Sequence, residues 1–128
     1  MRSLFSAMLV STTLLWPLSA QPHHSFSLEF DVNRPVELTG TVSTIEWTNP
    51  HAWVFIEVED EDGSLQNWSV EFLGVLTLMR RGMSPQTLGP GDVVSITGYG
   101  SRDGTNTANA STLTLTETGQ VLWSAEGR

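Results

Sequence analysis

The chain has 128 residues, no cysteine, six basic residues against fourteen acidic ones, and a formal net charge of −8. Without cysteine there is no disulfide framework, no thiol chemistry and no zinc–thiolate site. The acidic balance repels phosphate backbones and anionic membrane surfaces, which argues against nucleic-acid binding and leaves a cationic partner or a metal ion open.

Residues 1–20 read as a secretory signal. Arg2 supplies the positive start, Leu4 to Trp16 is largely apolar, Pro17 breaks the run, and Leu18-Ser19-Ala20 offers a small residue for cleavage. Ser11, Thr12 and Thr13 interrupt the apolar run, which is too short for an ordinary transmembrane helix, and no later stretch is apolar enough to span a bilayer. The expected mature chain starts at Gln21 and is soluble and exported, either periplasmic or secreted. Arg2 leaves with the signal, so five arginines face fourteen acids, a net of −9.

From Gln21 onward the apolar residues recur with period two, the signature of strands. Phe26, Leu28 and Phe30 alternate with Ser27 and Glu29 and predict a half-buried N-terminal strand. Asp31 to Pro35 interrupts it. Val36 to Trp47 predicts a long strand whose apolar parity switches between Val42 and Ile45, as a bulge or sharp bend requires, with Gly40 easing the curvature. Thr48-Asn49-Pro50-His51 reads as a turn. Ala52 to Val58 reads as a central strand, Glu59 to Gly63 as a charged hairpin tip, and Leu65 to Phe72 as the returning strand with Trp68, Val70 and Phe72 on one face.

One short helix is expected from Val75 to Arg81. Val75, Leu76, Met79 and Met83 would share its apolar face, the arginines would lie at its C-terminus, and Gly82 would stop it. Gly89-Pro90-Gly91-Asp92 turns the chain into a strand from Val93 to Tyr99. Arg102-Asp103-Gly104 tips the next hairpin, Ala108 to Thr116 is the last long strand, and Val121-Leu122-Trp123 suits an edge.

Three strands, a short helix and two strands is the order of a five-stranded Greek-key barrel of the oligonucleotide/oligosaccharide-binding type. The expected fold is therefore all-β, an OB-like barrel over 36–128 preceded by an N-terminal extension over 21–35 that adds a strand. A β-sandwich is the alternative. The expected core is Val42, Ile45, Val54, Ile56, Trp68, Val70, Met79, Val94, Ile96, Leu113 and Leu115.

Several motifs carry a resemblance over nearly the whole mature chain. They are His23-His24-Ser25-Phe26, Arg34-Pro35-Val36, Thr39-Gly40-Thr41-Val42, Glu46-Trp47-Thr48-Asn49-Pro50-His51-Ala52-Trp53, Arg80-Arg81-Gly82, Pro90-Gly91-Asp92 and Asp103-Gly104-Thr105-Asn106-Thr107-Ala108-Asn109-Ala110. Together they resemble a family of small exported bacterial proteins grouped as domain of unknown function 6152. The resemblance implies bacterial export and carries no established activity. Met83 stands where such proteins often have an aromatic residue after the Arg-Arg-Gly step.

The candidate chemistry lies with the histidines. His23, His24 and His51 would form an all-nitrogen site for copper or zinc if they met. The competing reading is a solvated tail and a turn histidine packed on Trp53. Pro22 lacks the amide hydrogen that a square-planar amine-terminal copper site needs. A plain hairpin centred on Asn33 would also place His24 opposite Val42, six residues from the level of His51, or roughly 20 Å at 3.3 Å per residue.

Trp47, Asn49 and Trp53 are the candidate ligand-binding surface, because at least one indole beside the turn is expected to be exposed next to polar groups and to suit a small ligand, a sugar or a peptide. No catalytic residue is assigned, since no carboxylate pair, nucleophile elbow or phosphate loop stands out. The functional expectation is a non-enzymatic binding or accessory module of the bacterial cell envelope, with an unidentified small ligand or envelope protein as partner. The alternative is a periplasmic metal-binding protein using His23, His24 and His51. A metal-assisted hydrolase would need that site plus a bound water.

Overall fold

A computed structural model describes residues 25–126. The expected signal at 1–20 and the paired His23 and His24 lie outside the described residues. The elements in order are α1 (Phe26–Glu29), β1 (Phe30–Glu46), β2 (Trp53–Glu59), β3 (Leu65–Glu71), α2 (Val75–Arg80), β4 (Val93–Ser101), β5 (Thr107–Leu115) and β6 (Val121–Ser124). No helix among the described residues is long and apolar enough to cross a membrane.

All six strands belong to one sheet in the order β3-β2-β1-β4-β5-β6, and an additional β3–β5 pairing closes it. That closing pair is parallel, through Ser69↔Thr107, Val70↔Ala108 and Glu71↔Asn109, while the other pairs are antiparallel. The first five strands thus form the expected OB-like ring, and β6 extends it from β5. A sandwich would need two separate sheets.

β1 makes the ring possible because it serves two neighbours. Its first part pairs with β4 from Pro35 to Thr41, and its last part pairs with β2 from Thr41 to Glu46. The register slips between Val42 and Thr44, at the expected parity switch. Gly40 sits where the coiled strand meets its neighbour, and a Cβ there would lie 2.5 Å from the Glu57 carbonyl oxygen. Only a residue without a side chain permits that approach.

The expected separate N-terminal strand is not formed. Phe26–Glu29 is a single helical turn, and Asp31 to Pro35 is not an interruption but lies inside the 17-residue β1. The alternation of Phe26, Leu28 and Phe30 misleads because only Phe30 is buried, whereas Leu28 is 77% exposed. Asn33 centres no hairpin, so the spacing argument that kept His24 away from His51 does not apply to this chain path.

Val42, Val54, Ile56, Val70, Val94, Ile96 and Leu113 are buried as the alternation requires, with Ile45, Trp68 and Leu115 half-buried against them. Met79 is the exception: it is exposed, and Leu78 takes the core position on α2. Arg81 N–H donates to Leu78 O and Gly82 N–H to Met79 O, both bonds three residues long. These bonds close the end of the α-helix, and within it Leu78, three residues after Val75, faces the core in place of Met79.

α2 is fixed at both ends. Gly74 lies against the 48–51 turn, where a Cβ would stand 2.9 Å from Asn49 Oδ1, and the Val75 N–H donates to that same oxygen at 3.1 Å. At the other end the Arg81 guanidinium lies 5.1 Å from the Trp123 ring centroid and donates to Ser124 O. The acidic tip between β2 and β3 is a solvated turn in which Ser64 N–H donates to Asp62 and holds that carboxyl below its ordinary value.

Candidate functional site

The outer side of the barrel carries a cleft of about 630 Å3 built from three stretches far apart in sequence. Leu28, Glu29 and Phe30 form one wall. Thr48, Asn49, Pro50, His51 and Trp53 form the second. Ser101, Arg102, Asp103, Thr105 and Thr107, with Glu71 at the base, form the third. The ring explains the meeting: Phe30 pairs with Ser101 at the end of β4, and Glu71 lies between Trp53 and Asn109 in neighbouring strands.

Glu71 is the centre of the polar base. Its strand neighbour Val70 faces the core, so Glu71 points outward, yet it is only 8% exposed because the cleft walls cover it. A buried carboxylate needs partners. Asn109 Nδ2 donates to Glu71 Oε1 at 3.3 Å, and His51 Nδ1 lies 3.4 Å from the same oxygen.

His51 is held more firmly by the backbone. Its Nδ1 is 2.9 Å from Phe72 O, so this nitrogen carries the hydrogen and donates to the carbonyl. The His51 Nε2 atom has no hydrogen-bond partner among the described residues. The turn itself is braced by Thr48 Oγ1, which donates to His51 O, and it contains a cis peptide bond between Asn49 and Pro50.

Asp103 organises the opposite loop. Ser101 Oγ, Thr105 Oγ1 and Thr105 N–H all donate to its Oδ1. These bonds, that from Ser101 largest, hold its carboxyl down at about 2 from the usual 3.8. A depressed carboxyl contributes stability above its unfolded pKa and loses it as pH falls through the folded one. We therefore expect Asp103→Ala to lower stability by a constant amount above about pH 5, with the difference shrinking as pH falls through 4 toward 2 and below. Denaturation midpoints of the two proteins measured across that range check it, and a gap at pH 2 as large as that at pH 7 rejects the role.

Of the candidate ligand surface, Asn49 and Trp53 line the cleft, while Trp47 packs half-buried against the core. Of the candidate metal residues, His51 lines the cleft, and His23 and His24 lie outside the described residues. No group of three or more His, Asp or Glu side chains is placed to hold a metal ion among the described residues. Sequence reasoning missed Glu71, Arg102, Asp103 and Thr105. Glu71 looks like any outward residue of an alternating strand, and Arg102-Asp103-Gly104 looks like a turn and nothing more. Clues existed only in the short polar side chains at 101, 103 and 105, whose spacing suits loop-bracing hydrogen bonds.

No curated protein and no solved structure matches the chain. A family model does match, over residues 12–110, which include every strand from β1 to β4, both turns that wall the cleft, and Glu71. The chain belongs to that family, described as a family of unknown function (DUF6152).

Proposed function

We propose that the protein is a non-enzymatic binding module of the bacterial cell envelope, exported there, whose small ligand or partner segment sits in the cleft beside Trp53. The observation that carries this reading is the cleft itself. Its volume of about 630 Å3 falls within the few hundred to 1,000 Å3 usual for small-molecule sites. An indole, an imidazole, an amide and a guanidinium converge there, so a ligand would find an apolar platform with directional polar groups around it.

A second reading is favoured by His51. A histidine that binds a metal through one ring nitrogen commonly gives the other N–H to a backbone carbonyl or carboxylate, which fixes tautomer and orientation. His51 has both partners, Phe72 O and Glu71. Leu28 lines the same cleft, and His24 is four residues before it, a reach of about 13 Å at 3.3 Å per residue. Copper or zinc held by His51 with His23 and His24 is the corresponding proposal. A hydrolytic role would require that metal together with a bound water.

One experiment addresses both. Isotope-labelled mature protein without a histidine tag is titrated with Zn2+, Cu2+, mono- and disaccharides, and short peptides, and amide and ring shifts are followed by NMR. A ligand of the cleft shifts Asn49, His51, Trp53 and Thr105 together, and Trp53→Ala weakens its binding tenfold or more. Metal at the histidines is abolished by His51→Ala with the remaining spectrum unchanged. Shifts confined to other faces of the barrel reject the cleft as the ligand seat.

A further inference from the structure

We infer that Arg102 is the positioning residue of the cleft: it latches the N-terminal segment 25–31 as a strap that forms one wall. Arg102 and this segment are more than 70 residues apart, yet Arg102 holds it at two points. Its Nε donates to Ser27 O at 2.7 Å, and its backbone N–H donates to Glu29 O at 2.9 Å. Both acceptors belong to α1, a four-residue turn. A helix this short leaves its last carbonyls without partners of its own, and an arginine beside a helix C-terminus is a known way to supply them.

Phe30, only 3% exposed, also anchors the strap. β1 and β4 pair at Phe30↔Ser101 and then not again until Pro35↔Tyr99. Residues 31–34 therefore bulge from the ladder, and Arg34 Nη1 ties the bulge back by donating to Ser101 O at 2.6 Å. Phe26 adds ring contacts with Phe30 and Tyr99 at 5.5 and 5.9 Å, but Phe26 itself is more than a third exposed. The ion pair of Arg102 with Asp31, at 3.8 Å and solvent-exposed, adds little. The bond from Nε needs a planar, directional donor, and a lysine ammonium does not replace it.

Leu28, Glu29 and Phe30 wall the cleft only while the strap is seated, so Arg102 sets the shape of the ligand seat without needing to touch a ligand. The functional meaning of the latch rests on the cleft being that seat. The latch itself is tested on the ligand-free mature protein and succeeds or fails independently of any titration.

Amide hydrogen exchange is measured for Leu28 and Phe30, with the Trp53 indole N–H followed by NMR. Arg102→Gln should speed exchange at both amides tenfold or more and move the Trp53 resonance, while amides of β2 and β3 stay as they were. Arg102→Lys should behave like Arg102→Gln, and Asp31→Asn should leave exchange within about twofold of the parent. Unchanged exchange in Arg102→Gln, full rescue by lysine, or Leu28 and Phe30 amides already unprotected in the parent would overturn the inference.

Discussion

Gly98→Ala is expected to cost about 3 kcal/mol or more, at or beyond the upper end of the usual range for forcing one extra carbon into a packed interior. A Cβ at Gly98 would lie 2.0 Å from the Asn109 carbonyl oxygen and 3.2 Å from Ala110 Cα. These are backbone atoms of the paired strand, so no side chain can rotate aside. The register of β4 and β5 slips next to this position, between Thr97 and Gly98, and the bowed strand is pressed onto the glycine. Relief would require β5 to move away from β4, which loosens the ladder on which both the barrel closure and β6 depend. Gly89 provides the control. It has no positive φ and no atom within 4 Å of a built Cβ, so Gly89→Ala should change stability by less than about 0.5 kcal/mol. Denaturant midpoints of the two variants give the comparison, and equal losses would mean that β4 and β5 are not packed as described.

Leu78→Ala should cost about 2–5 kcal/mol, the range for truncating a fully buried leucine, while Met79→Ala should stay within about 0.5 kcal/mol. Leu78 is 0% exposed and Met79 is 49% exposed. The pair is a sharp test because hydrophobicity alone does not separate two neighbouring apolar residues. Unfolding measured by tryptophan fluorescence also reports on the site of the damage, since α2 and β6 are joined by Arg81 on Trp123. The opposite ranking would mean that α2 turns Met79 rather than Leu78 to the core.

These two positions show where reading the chain succeeds and where it stops. The strands from Val36 onward are legible because one face of each is buried, and burial writes period two into the residues. The bend in β1 is legible for the same reason: its parity changes where the register slips. The phase of α2 is not legible, because six residues span fewer than two turns and Val75 can share a face with Leu78 or with Met79. The N-terminal turn is misread because Phe26 and Leu28 are apolar for a role at the surface, beside Tyr99 and the cleft, and apolar spacing alone mimics a strand.

The site divides in the same way. His51, Asn49 and Trp53 stand out as unusual residues at a turn. Glu71, Arg102 and Asp103 do not, because their roles depend on neighbours tens of residues away. A carboxylate in an alternating strand is ordinary until His51 and Asn109 are seen against it.

The walls of the cleft also bear on the order of events as the chain folds. Residues 28–30, 48–53 and 101–107 meet only through the β1–β4 and β3–β5 pairings. Pairings between such distant residues carry a large loop-closure cost before they are rewarded, and folds dominated by them reach the native state in milliseconds to seconds rather than microseconds. A growing chain that has reached only β3 has two walls' worth of residues and no third. The binding surface therefore arises late, together with ring closure, and a chain truncated before β5 would keep hairpins but present nothing for a ligand to recognise.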